Sequence, residues 1–128
     1  MYLIQCVNAY TAVLAMSQQE HEYKMAYALT TLKRKLQPHV EFFTSEEMKL
    51  VEQYSQKDDK GKTILNERGN FTFADPAKVD EYAERRTALG MVEVNEDFPT
   101  MYVPAPKAIR PVHLEALEGC MEFEEAGV

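Results

Sequence analysis

Residues 55–86, SQKDDKGKTILNERGNFTFADPAKVDEYAERR, begin with the spacing of a calcium loop. With Gly61 at the sixth loop position, Asp58 falls at the third and Glu67 at the twelfth, both oxygen donors of the kind such loops use. Gln56 and Lys60 then occupy the first and fifth positions, where a neutral amide and an ammonium remove about half of the expected negative charge and repel the ion. The stretch therefore reads as a solvated turn leading into a hairpin. His21-Glu22 opens like the zinc motif H-E-x-x-H, but its fifth position is Met25 and the second ligand is missing. His21, His39 and His113, with Cys6 and Cys120, form no C-x-x-C or H-x-x-x-H pair.

Nucleophilic catalysis needs a Ser or Cys beside a base and an oxyanion site. No G-x-S-x-G or cysteine-protease signature surrounds Ser17, Ser45, Ser55, Cys6 or Cys120. No glycine-rich phosphate loop stands between a strand and a helix. The expectation is a protein without metal, cofactor or catalytic residues; the residual enzymatic option is a site assembled from Tyr27, His39, Glu41 and Lys49.

Two charged groups remain as candidate partner-binding residues. Lys33, Arg34 and Lys35 are the one basic cluster that stands out, although consecutive helical positions point about 100° apart and cannot make one flat patch. Glu115, Glu118 and Glu122, followed by Glu124 and Glu125, make residues 111–128 wholly acidic: five Glu and no Lys or Arg, against 14 basic and 16 acidic groups before them. The bland reading of both is a solvated surface. The functional reading is docking of the basic cluster on an acidic partner, which includes the tail of a neighbouring copy, and mimicry of nucleic acid by the acidic one. A net charge of −7 argues against direct nucleic-acid binding, which rests on cations neutralising phosphates.

The elements that must carry these residues follow from periodicity. At 128 residues, with 45% apolar and 27% charged residues, the chain has the size and balance of one folded domain, 1–128. Leu3, Val7, Tyr10 and Leu14, with Cys6 and Val13 beside them, predict a first helix. Tyr23, Ala26, Tyr27, Thr30, Leu36, Val40 and Phe43 predict a long second helix, antiparallel to the first because the link is short. Pro38 must kink this helix or divide it, and Thr44 with Glu47 has the capping-box spacing of a restart. Residues 1–56 thus form a helical hairpin. Residues 57–75 hold a turn and a small β-hairpin, Thr63–Leu65 against Phe71–Phe73 around NERGN.

Asp75 as N-cap, Pro76 at the first position and Gly90 as stop frame a third helix over 76–90, with Val79, Tyr82, Ala83 and Leu89 on its inner face. Residues 91–110 read as extended and proline-rich, with short strands at 91–94 and 101–103. Residues 111–128 read as a short helix, Val112, Leu114, Leu117 and Met121, and a frayed acidic tail. No internal repeat is expected. The fold class is α+β, mainly α. The two cysteines, near opposite ends, suit a reduced cytosolic protein at least as well as a single long-range bridge, and free thiols are the expectation. The apolar opening has no Lys or Arg before Lys24, so a secretory leader is not expected, and no run of 18 apolar residues predicts a membrane span.

The order of segments "YALTTLKRKLQPHVEFF", "VEQYSQKDDKGKTILNERGNFTF", "DPAKVDEYAERRTALGMVEVN" and "RPVHLEALEGCMEF" resembles a family of small uncharacterised proteins encoded by tailed bacteriophages and prophages of Gram-positive bacteria. The resemblance covers nearly the whole chain. It implies a phage or prophage origin and action in the bacterial host cytoplasm or the virion, with no agreed activity to carry over. The expected function is non-enzymatic: protein-protein interaction with a phage or host protein, as an assembly factor or minor structural component, with a homo-oligomer left open. The alternative is an anti-defence inhibitor that binds a host nuclease or sensor through its acidic surface.

Overall fold

The computed structural model describes residues 1–124. Its elements run α1 (Leu3–Met16), α2 (Tyr23–Tyr54), a 3₁₀ turn (Pro76–Lys78) leading directly into α3 (Val79–Gly90), β1 (Met101–Pro104), α4 (Pro111–Ala116) and β2 (Met121–Glu124). The class is α+β and mainly α, with the helical pair and the small hairpin that the periodicity requires.

α2 is one helix of 32 residues through Pro38. A proline has no N–H to give the carbonyl four residues back, that of Arg34, and it crowds that carbonyl. Both Pro38 and Arg34 lie on the exposed side of α2, where water can take the freed carbonyl. The restart at Thr44 is therefore not used.

The buried stripe of α2 is Met25, Leu29, Leu32, Leu36 and Phe43, with Ala28 beside it. The upper half of the expected stripe is thus on the wrong side: Tyr23 is 95% exposed and Tyr27 75%. The physical reason is that the aliphatic stripe removes more apolar area without also burying tyrosine hydroxyls. α1 shows a smaller rotation of the same kind. Its buried residues are Leu3, Cys6, Ala9, Ala12, Val13 and Met16, while Val7 and Tyr10 are half-buried and Leu14 is exposed. The small residues Ala9 and Ala12 suit close approach between the two helices. One core joins α1 and α2 to Val103, Leu117, Cys120 and Met121 from the C-terminal third.

That third departs most from expectation. Met121–Glu124 is a strand and not a tail, paired parallel to β1 in the register Met101↔Met121 to Pro104↔Glu124. Its alternation is regular: Met121 is buried and Phe123 half-buried, while Glu122 and Glu124 face outward. The expected fraying of the last residues, Glu125 among them, lies outside the described residues. Residues 91–94 make a single antiparallel bridge, Tyr2↔Glu93, with Leu3 N donating to Val92 O and Val94 N to Met1 O.

Residues 58–65 and 66–73, DDKGKTIL and NERGNFTF, form an eight-residue repeat, which corrects the expectation of none. In the first, Asp58 Oδ1 accepts from Lys60 N and Lys62 N, Gly61 N donates to Asp58 O, and Gly61 has φ +78°. In the second, Asn66 Oδ1 accepts from Arg68 N and Asn70 N, Gly69 N donates to Asn66 O, and Gly69 has φ +79°. Each unit is a turn closed by Asx bonding and ended by a glycine in the left-handed region, which other residues enter at a cost. The three extended limbs around these turns touch one another through the antiparallel bridges Ser55↔Phe73, Lys57↔Thr63 and Leu65↔Phe71.

This lobe docks on the far end of α2 through an aromatic cluster. Phe71, Phe73 and Tyr82 lie 4.9–5.4 Å apart by ring centroids, and Tyr54 meets Tyr82 edge-on at 5.7 Å. Arg85 Nη1 donates to Tyr54 Oη (3.0 Å) and Gln53 Oε1 (2.7 Å). α3 is otherwise shallow: Tyr82 and Leu89 are half-buried and Val79 and Ala83 exposed, because the helix rests on a small lobe and not in the main core. Gly90 is its one buried residue, and a Cβ there would stand 3.1 Å from Ile4 Cβ.

Leu32 is 1% exposed at the centre of the core. Leu32→Ala is expected to cost about 2–5 kcal/mol in urea unfolding, the range for a cavity in a packed site. Cys6 and Cys120 are both buried as free thiols in that core. Burial, helped by the nearby Cys120, pushes the Cys6 thiol from its ordinary 9.0 up to about 11, and burial also raises Cys120. A thiol that holds its proton more tightly when folded stabilises the fold fully below pH 9 and loses that contribution as pH climbs toward 11. The melting temperature should therefore fall across this window, less steeply in Cys6→Ala.

Candidate functional site

The 3.6-residue period that buries Leu29, Leu32 and Leu36 sends a second stripe of α2 into solvent. Going along the helix, it consists of Tyr23, Tyr27, Thr30, Arg34, Gln37 and Pro38, Glu41, Ser45, Met48 and Glu52, all exposed. Phe42 flanks the stripe and is 51% exposed, and Met48 is 61% exposed. Large aromatic side chains with this much surface in water, interleaved with Arg, have the composition of protein-contact surfaces.

The candidate residues of the basic cluster separate on the helix. Lys35 is half-buried and works within the fold: its Nζ donates to Asp97 O (3.3 Å) and stands 5.7 Å from the Phe98 ring centroid. Beside it His39 Nε2 is 2.6 Å from Glu96 Oε2, and its ring meets Phe98 edge-on at 5.9 Å. These contacts pin residues 96–98 against α2. Arg34 points away into solvent, and Lys33 is half-buried between the two directions. Among the described residues neither Lys33 nor Arg34 has an ion-pair partner.

The acidic candidates fall on other elements. Glu115, on α4, and Glu118, just beyond it, line an open groove between α1 and α4, whose other wall includes Gln5, Asn8 and Thr11. Glu122 is exposed on β2. The structure thus places Glu115 and Glu118 together, sets Glu122 on a neighbouring strand, and keeps all three away from any ion pair among the described residues. The last glutamate of β2, Glu124, pairs with Lys24 at 3.2 Å and ties the sheet to the start of α2.

Tyr27, His39, Glu41 and Lys49 do not converge. All four lie on α2, and Tyr27 and Lys49 are separated along its axis by roughly 33 Å. Three of them have separate partners: Glu41 accepts from Gln37, Lys49 pairs with Glu46, and His39 is held by Glu96. Asp58, the strongest donor of the calcium-like loop, has Oδ1 committed to two backbone amides, a turn-closing role. The Tyr82 hydroxyl has its pKa raised, chiefly by burial in the aromatic lobe.

Sequence reasoning missed the outward tyrosines by assigning them to the core. The signal against that choice was present, since Met25, Leu29, Leu32 and Leu36 form an uninterrupted aliphatic stripe one step round the helix. Residues 18–97 match the model of a family described as a protein of unknown function, DUF1617. No curated protein and no solved structure matches.

Proposed function

This chain belongs to the DUF1617 family of proteins of unknown function, and from that premise we propose that it is a non-enzymatic protein of phage or prophage origin that acts by binding other proteins. The binding surface is the outward face of α2. The partner is a phage or host protein met in the bacterial host cytoplasm or the virion, and the role is that of an assembly factor or minor structural component. The phage assignment is what the resemblance carried by segments such as YALTTLKRKLQPHVEFF and DPAKVDEYAERRTALGMVEVN implies.

The observation that carries the reading is the exposure of Tyr23 and Tyr27, at 95% and 75%, on a helix whose opposite face is fully committed to the core. A tyrosine side chain left in water forgoes much of the stabilisation that its area would supply on burial, and a protein contact recovers it. The whole of α2 lies inside residues 18–97, the span that matches the family model, whereas Glu115, Glu118 and Glu122 lie outside that match.

A second reading, inhibition of a host nuclease or sensor, is supported by the groove walled by Glu115 and Glu118. It would present carboxylates where a basic nucleic-acid site expects phosphates.

The test of the first reading is affinity capture from an induced lysogen, comparing the wild type with Tyr23→Ala/Tyr27→Ala. The double variant is expected to lose the proteins that the wild type retains, with stability within about 0.5 kcal/mol per site because both side chains are exposed. Retention of the same proteins by both forms would refute the surface assignment. The second reading is checked by plaque formation on defended and undefended hosts, with and without the gene; equal efficiency in all four combinations removes it.

A further inference from the structure

The charge on α2 is polarised. Residues 23–38 carry Lys24, Lys33, Arg34 and Lys35 and no acid, while residues 39–54 carry Glu41, Glu46, Glu47 and Glu52 against Lys49 alone. This order is the reverse of what the helix dipole favours, which is acids at the start and bases at the end. α2 has no acid in its first turn and no base in its last. The polarity therefore does nothing for the helix by itself.

Contacts within the chain account for part of it. Lys24 pairs with Glu124, Lys35 bonds Asp97, Glu46 pairs with Lys49, and Glu47 pairs with Arg86. The charges left without an ion-pair partner among the described residues are Lys33, Arg34 and Lys35 in the first half, Lys35 being held by the Asp97 backbone carbonyl, and Glu41 and Glu52 in the second. Three of these five, Arg34, Glu41 and Glu52, lie on the outward stripe; Lys33 flanks it, and Lys35 is turned toward residues 97–98.

The stripe is also self-complementary when reversed. Its positions 23, 27, 30 and 34 have spacings of 4, 3 and 4, and so do 41, 45, 48 and 52. A two-fold axis between Gln37 and Pro38 sets each residue against the one whose number completes 75: Arg34 with Glu41, Thr30 with Ser45, Tyr27 with Met48, and Tyr23 with Glu52. Each pair is chemically matched. Guanidinium meets carboxylate, two small hydroxyl residues face each other, a ring meets a thioether, and a phenol meets a carboxylate. The mean spacing of about 3.6 residues is that of the helix itself, so the stripe keeps to one side of α2 along its whole length.

We propose that two copies of this chain associate through the outward faces of α2, antiparallel about a two-fold axis between Gln37 and Pro38, with Arg34 of each copy meeting Glu41 of the other. The proposal rests on the reading of this face as a protein contact and names its first occupant as a second copy. An isologous interface of this kind closes on itself and makes a dimer, not a filament. The seam from Tyr23 to Glu52 is about 44 Å long. Parallel pairing is disfavoured, since it would set the basic halves side by side and the acidic halves likewise.

The experiment is the mass of the purified chain at micromolar concentration and low salt, by sedimentation or light scattering, for the wild type, Arg34→Glu, Glu41→Arg and the double reversal. The wild type is expected to be a dimer that weakens with added salt. Each single reversal should weaken dimerisation about tenfold or more by opposing like charges at two symmetric points, and the double reversal should restore it. Circular dichroism confirms that each variant is folded. A monomeric wild type, a dimer indifferent to both single reversals, or a double reversal that stays weak overturns the proposal. A monomer that still loses its captured partners in Tyr23→Ala/Tyr27→Ala sinks the dimer and leaves the partner surface standing. A charge-dependent dimer that retains no other protein does the opposite.

Discussion

The burial of one aliphatic stripe, Met25, Leu29, Leu32 and Leu36, determines how everything else in this protein is arranged. It faces α1 and the C-terminal third, and in doing so it orients a helix of 32 residues as a rigid axle. Pro38 is tolerated because the stripe turns it outward, where the carbonyl it deprives can meet water. Had the tyrosine stripe been chosen for the core, both phenols would have required buried partners. The outward face of α2 is thus a product of the inward one: what the core excludes is what a partner can meet.

Two assemblies hang from this axle, and they differ in how they are held. The N-terminal half of α2 packs against α1 and β1, α4 packs on α1, and a single aliphatic core includes both cysteines. The far end carries the repeated turns and α3, held by Tyr54, Phe71, Phe73 and Tyr82 and by the Arg85 bridge to Gln53 and Tyr54. Ring-edge contacts and half-buried side chains make the second assembly shallower than the first. It is the part of the molecule from which local opening should begin, since few fully buried groups hold it.

The charged residues show why a run in a sequence is a poor guide to a surface. Lys33, Arg34 and Lys35 are adjacent in the chain, yet one braces residues 97–98, one faces water and one is half-covered. Glu115 and Glu118 wall one groove while Glu122 stands on a strand. Conversely, Arg34 and Glu41, seven positions apart, share one face because two helical turns separate them.

Much of the architecture was legible in the residues themselves. Asx side chains with glycine three positions later closed both turns of the hairpin lobe, and Asp75 with Pro76 started the 3₁₀ turn that leads into α3. These features depend on hydrogen bonds within about four residues, so the local sequence settles them. Even the eight-residue repeat and the Met-Glu-Phe-Glu alternation of β2 were present to be seen. The phase of α2, the parallel pairing of Met101 with Met121, and the meeting of Cys6 with Cys120 in one core were decided only by the tertiary structure. Each is a choice among near-equal local options, and it is made by contacts between residues far apart in the chain, which no short window of sequence contains.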